Sequence, residues 1–414
     1  MDILELFIAS LLLFLLFLWF FVRPMSVLVS GLFKKKKERT LHYGTGVSVI
    51  VPCHNEADTI EKTVVSILNQ NLKIPLEVIL IENNSTDNTY FVIQQLSTKY
   101  PQVVPLSIAT PRAHNPISFS LNHGINHCKY DIVVRLDADT ELAPTSIQKA
   151  IAPIINGDAS TTATNIRLSN LKENLLTRLQ GLDYYFSMEL DRRSQRLYNG
   201  VLCCSGAMQV FKLSDLREIG GYNNQKDMGE DMEITFRMHD KGKVEMTPEA
   251  IAFTDVPHTI KSLIHQRAWW MKIGIVTTYM HKKKIGKKYG RKGMFGLVAL
   301  PIKVFTTFQG LIGVVIKLIG ALILSQTNTG GDFISGFLWF SILHIGLNLF
   351  SLLTIAPVTH SKQGLGQWYL LPIYSLIYQP FLAVIRAYAV LQGILLILRM
   401  KKIYPSTTSA DYVK

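Results

Sequence analysis

Two aspartates one residue apart, Asp137 and Asp139, follow an apolar segment that ends Val-Val-Arg-Leu. Side chains of a β-strand alternate between its two faces, so residues two apart at a strand end point the same way. Two such carboxylates can bind a hard divalent cation, which would stabilise negative charge on a diphosphate leaving group. The same pair is also common on solvated turns without any chemical role. Its meaning therefore depends on the elements around it.

The segments before this pair alternate between strand-like and helix-like patterns. Residues 47–51 are a short apolar run, 56–70 have the spacing of a helix, and 76–81 are again apolar. This alternation predicts a doubly wound α/β domain with a mostly parallel sheet, in which ligands bind beyond the carboxyl ends of the strands. Acidic and amide residues follow three predicted strands there, at 52–56, 82–87 and 137–139.

Four apolar segments lie outside this domain. The first, 6–22, is followed by the lysine-rich stretch 34–39 and has neither the basic leader nor the cleavage site of a signal peptide. It predicts an uncleaved signal anchor, with the N-terminus outside and the following domain in the cytoplasm. The other three are 297–324, 333–355 and 368–398.

These segments do not decide on which side of the membrane the C-terminus lies. Three single passes would place it outside, whereas the basic cluster 399–402 argues for inside. The last segment contains Pro380 and Arg386, and either one span plus an interfacial helix or a broken helix would reconcile the two.

Composition sets two further limits. The net charge is +13, and seven cations lie within 282–292, directly before an apolar segment. That position favours binding to anionic lipid head groups over binding to nucleic acid. The four cysteines have no metal-ligand spacing, which predicts reduced, partly buried thiols.

Short sequence blocks then occur in a fixed order along the predicted domain. They are Val-Pro-Cys-His-Asn-Glu at 51–56, the turn at 82–89, Leu-Asp-Ala-Asp-Thr at 136–140, 173–180, Ser-Gly-Ala at 205–207, Gly-Gly-Tyr at 220–222, Gly-Glu-Asp at 229–231 and Gln-Arg-Ala-Trp-Trp at 266–270. From about 47 to 270 the chain resembles the family 2 glycosyltransferases with a GT-A fold. The later blocks are similar to the membrane branch that contains poly-N-acetylglucosamine, hyaluronan and cellulose synthases. The resemblance implies a Rossmann-like GT-A domain joined to transmembrane helices.

Five parts of the chain follow from these patterns. They are a signal-anchor helix (1–33), a cytoplasmic GT-A domain (45–260), interfacial basic helices (261–295), a membrane region with about three apolar helices (296–402) and a polar tail (403–414).

The resemblance assigns the donor end of the site. It implies that Asp139 ligates Mg²⁺ or Mn²⁺, with Asp137 near the ribose and the metal. Pro52, Glu56 and Glu82 would form the nucleotide pocket, with Glu82 accepting a hydrogen bond from the base. An Asp pair is usual at that turn, so Glu82 is a departure. Turn or helix capping is the alternative for both glutamates.

The acceptor end is assigned in the same way. An inverting transfer needs a carboxylate opposite the leaving group, and the resemblance implies Asp231 as this general base, with Glu230 orienting it. Acidic residues at a helix start also stabilise the helix dipole without any catalytic role. Ser205 and Gly206 would let an acceptor sugar approach the backbone, or would form a tight packing corner.

The block that begins at Gln266 departs from its relatives. Their pattern is Gln-x-x-Arg-Trp, in which the arginine meets the diphosphate and the tryptophan stacks on the acceptor sugar. In this chain Trp269 stands at the arginine position and Trp270 at the tryptophan position. Arg267 lies two residues earlier, about 200° round a helix. Either a nearby cation compensates, or the diphosphate is held differently, and an interfacial aromatic belt would also explain the two tryptophans. The nearby cations are His265, Arg267 and Lys272.

A second basic residue is missing at Ile117, where many relatives carry lysine. With two basic positions lost, a metal at Asp139 would carry more of the leaving-group charge.

These residues predict an inverting, metal-dependent membrane glycosyltransferase that extends a cell-surface polysaccharide from a nucleotide sugar, with UDP as the expected nucleotide. One alternative is the addition of a single sugar to a lipid acceptor, and another is a catalytically silent subunit of a polysaccharide export complex. Expected partners are the donor, a polysaccharide or lipid-linked acceptor, anionic membrane lipids, and a membrane partner subunit or a homodimer, but no nucleic acid.

Polar residues inside the apolar segments suggest a product pathway, although helix-to-helix hydrogen bonds or snorkelling would also explain them. They are Lys317, His344, Asn348 and Arg386.

Overall fold

The computed structural model describes residues 10, 17–32, 46–111, 114–308, 330–360 and 362–403. Its centre is an eight-stranded mixed sheet with the strand order β3-β2-β1-β4-β7-β6-β8-β5. The strands are β1 (Val47–Cys53), β2 (Leu76–Asn83), β3 (Val103–Ile108), β4 (Ile132–Leu136), β5 (Glu141–Leu142), β6 (Thr161–Leu168), β7 (Met208–Lys212) and β8 (Val244–Thr254).

Parallel pairing dominates the sheet. β1 pairs in parallel with β2 and β4, β2 with β3, and β6 with β8. β7 runs antiparallel to both of its neighbours, and the short β5 runs antiparallel to β8. The predicted α/β class with a mostly parallel sheet is therefore confirmed.

Helices cover both faces of this sheet and continue beyond it. They are α1 (Arg23–Leu32), α2 (Ile60–Leu68), α3 (Thr89–Lys99), α4 (Pro116–His127), α5 (Ser146–Ile155), α6 (Leu175–Tyr185), α7 (Arg193–Leu197), α8 (Leu213–Glu218), α9 (Glu230–Met238), α10 (Ile260–Met280), α11 (Gly330–Ile355), α12 (Leu371–Ile373) and α13 (Gln379–Ile403). Short π-helical turns occupy Leu18–Val22, Phe186–Arg192, Phe295–Ala299 and Tyr374–Tyr378, and 300–308 is also helical. Single 3₁₀ turns occupy Lys282–Lys284, Arg291–Gly293, Ala356–Val358 and Leu365–Leu370.

The strand side chains alternate between two apolar cores. Val49 and Val51 of β1 pack with α2 on one face, whereas Ile50 packs with α4 on the other. Because both faces are covered, the central strands are apolar at nearly every position, as is typical of parallel sheets. All four cysteines are free thiols, and Cys53, Cys128 and Cys204 are buried.

A third apolar cluster joins the sheet domain to the C-terminal helices. Val27 of α1, Leu182 of α6 and Leu263 of α10 pack there with residues of α11 and α13. A buried ion network lies beside this junction. The Glu189 carboxylate accepts hydrogen bonds from Arg167 and Arg193, and Arg193 also donates to the Val358 carbonyl at 2.8 Å.

Two described helices are long and apolar enough to cross a membrane, Ser341–Val358 and Leu365–Arg399. Ser341–Val358 begins inside the predicted segment 333–355 and ends three residues beyond it, and Leu365–Arg399 contains the predicted segment 368–398. The helix Leu18–Leu32 is apolar but shorter. Most of the predicted segment 6–22, residues 309–324 of the predicted segment 297–324, and Lys317 lie outside the described residues.

Polar residues of the last two helices make contacts between helices. The Asn348 amide donates to the Ser375 hydroxyl at 3.1 Å, which joins α11 to the turn before α13. Pro380 lies at the start of α13, directly after a π-helical turn, where the missing N–H is tolerated. The segment 365–403 is thus helical throughout, with changes of helix type rather than a chain break.

Candidate active site

A cleft of about 950 Å³ opens where β1, β2 and β4 end. Its wall contains every site residue predicted from the sequence except Glu82: Pro52, Glu56, Asp137, Asp139, Ser205, Gly206, Glu230, Asp231, Gln266, Arg267, Trp269 and Trp270. Residues far apart in the chain are therefore brought to one cavity, at the sheet edge where ligands of α/β folds bind.

Glu82 is placed differently from the prediction. Its side chain is buried, and its two carboxylate oxygens accept hydrogen bonds from the Ser85 amide at 2.7 Å and the Ser107 hydroxyl at 2.8 Å. Ser107 is the residue directly opposite Glu82 in the β2–β3 pair, which explains why the Glu82 side chain points toward β3. Asn83 and Asn84 line the cleft at this strand end instead. The contacts of Glu82 match the turn-capping alternative.

The predicted cation site is a group of like charges in the cleft. Asp139 accepts hydrogen bonds from the Thr140 hydroxyl at 3.2 Å and, more weakly, from Thr254 at 3.5 Å. Partial burial, together with the carboxylates of Asp137 and Glu56, raises the pKa of Asp139 to about 6, even though its side chain still meets solvent in the open cleft. Burial and the Asp137 charge also raise the pKa of Glu56. Mutual repulsion of this kind is relieved by a bound cation.

The residues present fit a cation that is shared with a ligand. Among the described residues, no group of three or more His, Cys, Asp or Glu side chains is arranged to hold a metal. Asp137 and Asp139 would therefore supply two carboxylates, and water and substrate phosphates would supply the rest. Mg²⁺ is commonly bound in this way.

Arg135 is the main residue of the cleft that sequence reasoning missed. Its side chain is 2% exposed, and its Nη2 donates to Asp137 Oδ1 at 3.2 Å and to Glu230 Oε1 at 2.9 Å. Its Nη1 donates to Gln209 Oε1 at 3.3 Å across the β4–β7 pair. One buried guanidinium thus joins the predicted cation site to the start of α9. The signal in the sequence was an arginine inside an apolar strand, because a buried charge needs partners.

Gly206 makes room for this arginine. A Cβ atom at position 206 would lie 2.6 Å from Arg135 Nη2, closer than side chains tolerate. This contact supports the packing-corner alternative for the Ser205–Gly206 pair. The Gly206 amide has a second use, because it donates to Asp231 Oδ2 at 3.2 Å.

Glu230 and Asp231 begin α9 but have different surroundings. Burial raises the pKa of Glu230, and the ion pair with Arg135 opposes that rise. Asp231 Oδ1 accepts the Met232 amide at 2.7 Å, while its Oδ2 accepts the Gly206 amide and the Cys203 thiol. Asp231 makes no ion pair among the described residues, so of these two carboxylates only that of Glu230 is neutralised by an arginine.

The Gln266 block places aromatic rings and a paired arginine on the cleft wall. Trp269 and Trp270 are 41% and 43% exposed, with Lys272 Nζ 4.2 Å from the Trp269 ring centre. The Arg267 guanidinium lies 3.0 Å from Asp183 and 4.9 Å from the Trp270 ring centre. Arg267 is therefore already neutralised by Asp183.

A cation that was not predicted, Arg192, lines the same cleft and donates to the Cys203 carbonyl. Nothing in the sequence distinguishes it from the neighbouring Arg193, which is buried in the Glu189 network.

Residues 48–220 match the family model described as Glycosyl transferase family 2. The chain contains a glycosyltransferase family 2 domain. This confirms the resemblance, and it confirms the expectation of a glycosyltransferase at the level of that domain. Asp231 and the Gln266 block lie beyond the matched residues.

Two similar curated proteins carry the same description. Poly-beta-1,6-N-acetyl-D-glucosamine synthase of Staphylococcus epidermidis is 29% identical over 235 residues, which are 55% of this chain and 54% of that protein. The synthase of Staphylococcus aureus strain MSSA476 is 28% identical over 243 residues, 58% of this chain and 57% of that protein. The chain therefore spans just over half the length of these relatives.

One solved structure is similar over nearly the whole chain. It is the mannosyltransferase PcManGT from Pyrobaculum calidifontis in complex with GDP-Man and Mn²⁺, with a TM-score of 0.62 and 17% identity. The similarity covers 91% of this chain and 97% of that one. At this identity the likeness concerns the fold alone, and it confirms the predicted GT-A-like fold.

Proposed function

We propose that the chain is an inverting, metal-dependent membrane glycosyltransferase that adds a sugar from a nucleotide sugar, with UDP as its nucleotide, to a growing cell-surface polysaccharide. The observation that carries this proposal is the single cleft that holds Asp137, Asp139 and Asp231 together. The polysaccharide-synthase names of two relatives support the choice of acceptor.

The donor diphosphate is assigned to the Asp137 end of the cleft. A divalent cation bound there would neutralise charge on the departing nucleoside diphosphate. Arg135 holds the Asp137 carboxylate in place by a hydrogen bond, and Arg192 offers a further positive charge on the wall of the cleft. This arrangement compensates for the basic residues that are replaced at Ile117 and Trp269.

The transfer itself is assigned to Asp231. An acceptor hydroxyl gives its proton to the Asp231 carboxylate while its oxygen bonds to the anomeric carbon. The bond from that carbon to the diphosphate oxygen breaks, and its electron pair leaves with the diphosphate. Attack from the face opposite the leaving group inverts the configuration. Glu230 is held by Arg135 and therefore orients this end of α9 rather than taking the proton.

The acceptor is assigned to the wall formed by α10. The exposed rings of Trp269 and Trp270 offer flat apolar surfaces on which sugar rings stack. Leu263 and Ala268 of the same helix pack in the cluster shared with the C-terminal helices. The acceptor wall is thus continuous with the candidate membrane region, which fits a cytoplasmic site at the plasma membrane that passes its product toward the bilayer.

One observation favours a second function, the addition of a single sugar to a lipid acceptor. The arginine that meets the diphosphate in the related polymer-forming enzymes is Trp269 here, and Arg267 is engaged by Asp183. A site that holds the diphosphate less firmly at this wall would suit release after one transfer.

A donor panel distinguishes these functions. The purified full chain in nanodiscs is incubated with radiolabelled UDP- and GDP-sugars and Mn²⁺, and the products are sized. Long polymer supports the proposal, a lipid carrying one sugar supports the second function, and no transfer with any donor supports a silent subunit. Asp231→Asn is the matched control, because it removes the base without changing the size of the side chain. It should abolish transfer while nucleotide binding is retained, and retained turnover would remove Asp231 as the base.

A further inference from the structure

The Asp231 carboxylate has nearly all of its acceptor positions filled. Two carboxylate oxygens offer about four lone-pair positions. The Met232 amide occupies one on Oδ1, and the Gly206 amide and the Cys203 thiol occupy two on Oδ2, with Sγ 3.4 Å from Oδ2. About one position is left for an incoming proton.

The loop that carries the thiol is fixed against α9. The Cys204 amide donates to the Thr235 hydroxyl at 3.0 Å, and that hydroxyl donates to the Asp231 carbonyl at 2.6 Å. Gln209 donates to the carbonyls of Cys204 and Asp231, and Arg192 donates to the Cys203 carbonyl. The thiol therefore reaches Asp231 from a backbone that is held on both sides, and the charged Asp231 Oδ2 at 3.4 Å is a nearer and stronger acceptor for its one proton than the Cys204 carbonyl at 3.6 Å.

We propose that Cys203 is a positioning residue for the general base: its thiol donates to Asp231 and fixes the carboxylate so that the remaining acceptor position serves the acceptor hydroxyl. This inference rests on the proposed role of Asp231. Cys203 lines the cleft, so the contact lies at the reacting end of α9 rather than in the core.

The surroundings favour the thiol over the thiolate. Burial and the Asp231 charge raise the pKa of Cys203 well above its ordinary value. Cys203 therefore keeps its proton and acts as a donor, not as a nucleophile.

Other charged and titratable groups also face Asp231, and they stay the same in every Cys203 variant. They are Glu230, Arg135, Tyr222 and Cys204, with Lys303 beyond the thiol. A difference between two Cys203 variants therefore reports the donor at position 203.

The first test compares Cys203→Ala and Cys203→Ser in the full chain in nanodiscs, with the donor found active for the wild type. The alanine variant should lower kcat about tenfold, because one hydrogen bond to a charged group is lost. KM for the donor should stay within about twofold, because ground-state binding is not touched. The serine variant should retain most of kcat, since its hydroxyl also donates.

The pH profile separates positioning from packing. Loss of the donor should move the acid limb of kcat/KM to higher pH in the alanine variant, and the stronger hydroxyl donor should move it to lower pH in the serine variant. Both substitutions remove a similar volume, so a purely packing role would shift both profiles alike. Cys128→Ala is the control, because Cys128 is buried at the end of α4 and does not line the cleft. Indistinguishable profiles for the alanine and serine variants would overturn the inference.

A second test does not need activity. The infrared S–H band of Cys203 is assigned from the difference between wild type and Cys203→Ala. Asp231→Asn should move this band to higher wavenumber, because a neutral amide is a weaker acceptor than a carboxylate. A band that does not move rejects the contact even if no donor is found. Absence of transfer together with a band that moves would reject the proposed function and keep the contact.

Discussion

Two buried arginine networks lie in the sheet domain, one around Arg135 of β4 and one around Glu189 beside β6, and they have opposite charge ratios. Around Glu189, one fully buried carboxylate is shared by two guanidinium groups, those of Arg167 and Arg193. Around Arg135, one buried guanidinium is shared by two carboxylates, those of Asp137 and Glu230. The first network has an excess of donors, which Arg193 uses on a backbone carbonyl. The second has an excess of negative charge at the cleft, where Asp137 is 38% exposed.

The difference shows what separates a structural ion network from one that can bind a ligand. The Glu189 carboxylate accepts from Arg167, Arg193 and Asn165 and is fully buried, so it is closed to another molecule. The Arg135 network leaves carboxylate oxygens at the cleft surface, where a cation would complete it. The same residue types thus hold the domain to its C-terminal helices in one place and prepare a binding site in the other.

The largest expected effect is on stability, at Glu189. Glu189→Gln leaves two buried guanidinium groups without a counter-charge, which should cost about 3–5 kcal/mol of unfolding free energy. Chemical denaturation of the detergent-solubilised protein measures this, and Glu173→Gln, at an exposed carboxylate, is the matched control. A loss no greater than that of the control would show that the Glu189 network is not structural.

Arg135 should behave in the opposite way, with a larger effect on transfer than on stability. Arg135→Met releases Asp137 and Glu230 together, and misplacement of reacting groups by about 1 Å can cost about 10²-fold in rate. The loss of stability should be smaller than for Glu189→Gln, because Asp137 can be solvated in the cleft. Transfer kinetics and denaturation are measured on the same preparation. Unchanged kcat with a large loss of stability would place Arg135 in the same class as Glu189.

The smallest effect expected is a pH-dependent change in the metal-free protein at Asp139. Its folded-state pKa of about 6 is above its ordinary value of 3.8, so the folded state binds this proton more tightly than the unfolded state does. Ionisation therefore destabilises the fold progressively as pH rises from about 3.8 to about 6. Asp139→Asn should raise the unfolding temperature most at pH 8, less near pH 5, and hardly at all near pH 3.

Mn²⁺ should reverse the order of the unfolding temperatures of the wild type and the Asp139→Asn variant at pH 8. Mn²⁺ should stabilise the wild type at pH 8 and leave Asp139→Asn unchanged, because binding to the folded state raises stability. Glu141→Gln, at an exposed carboxylate outside the cleft wall, should alter neither value. A variant that responds to Mn²⁺ like the wild type would remove Asp139 as a ligand.

Local patterns were enough to predict most of the fold and the cleft wall. The alternation of apolar runs indicated the parallel sheet, and the ordered blocks indicated that Asp137 and Asp231 share a site. What the sequence did not show were partners far apart in the chain. Glu230 lies 95 residues from Arg135, and Ser107 became the partner of Glu82 only through the pairing of β2 with β3. Arg267 and Asp183 likewise meet only when α6 and α10 are packed together.

Gly206 gives the domain a position with almost no tolerance for change. Its amide contacts Asp231, and the space above its Cα is filled by Arg135. Even the methyl group of alanine would therefore disturb both ends of the cleft at once, while the sheet around it remains paired. In a mutational survey of this chain, codon 206 should stand out as one where the smallest coding change abolishes transfer in a protein that still folds.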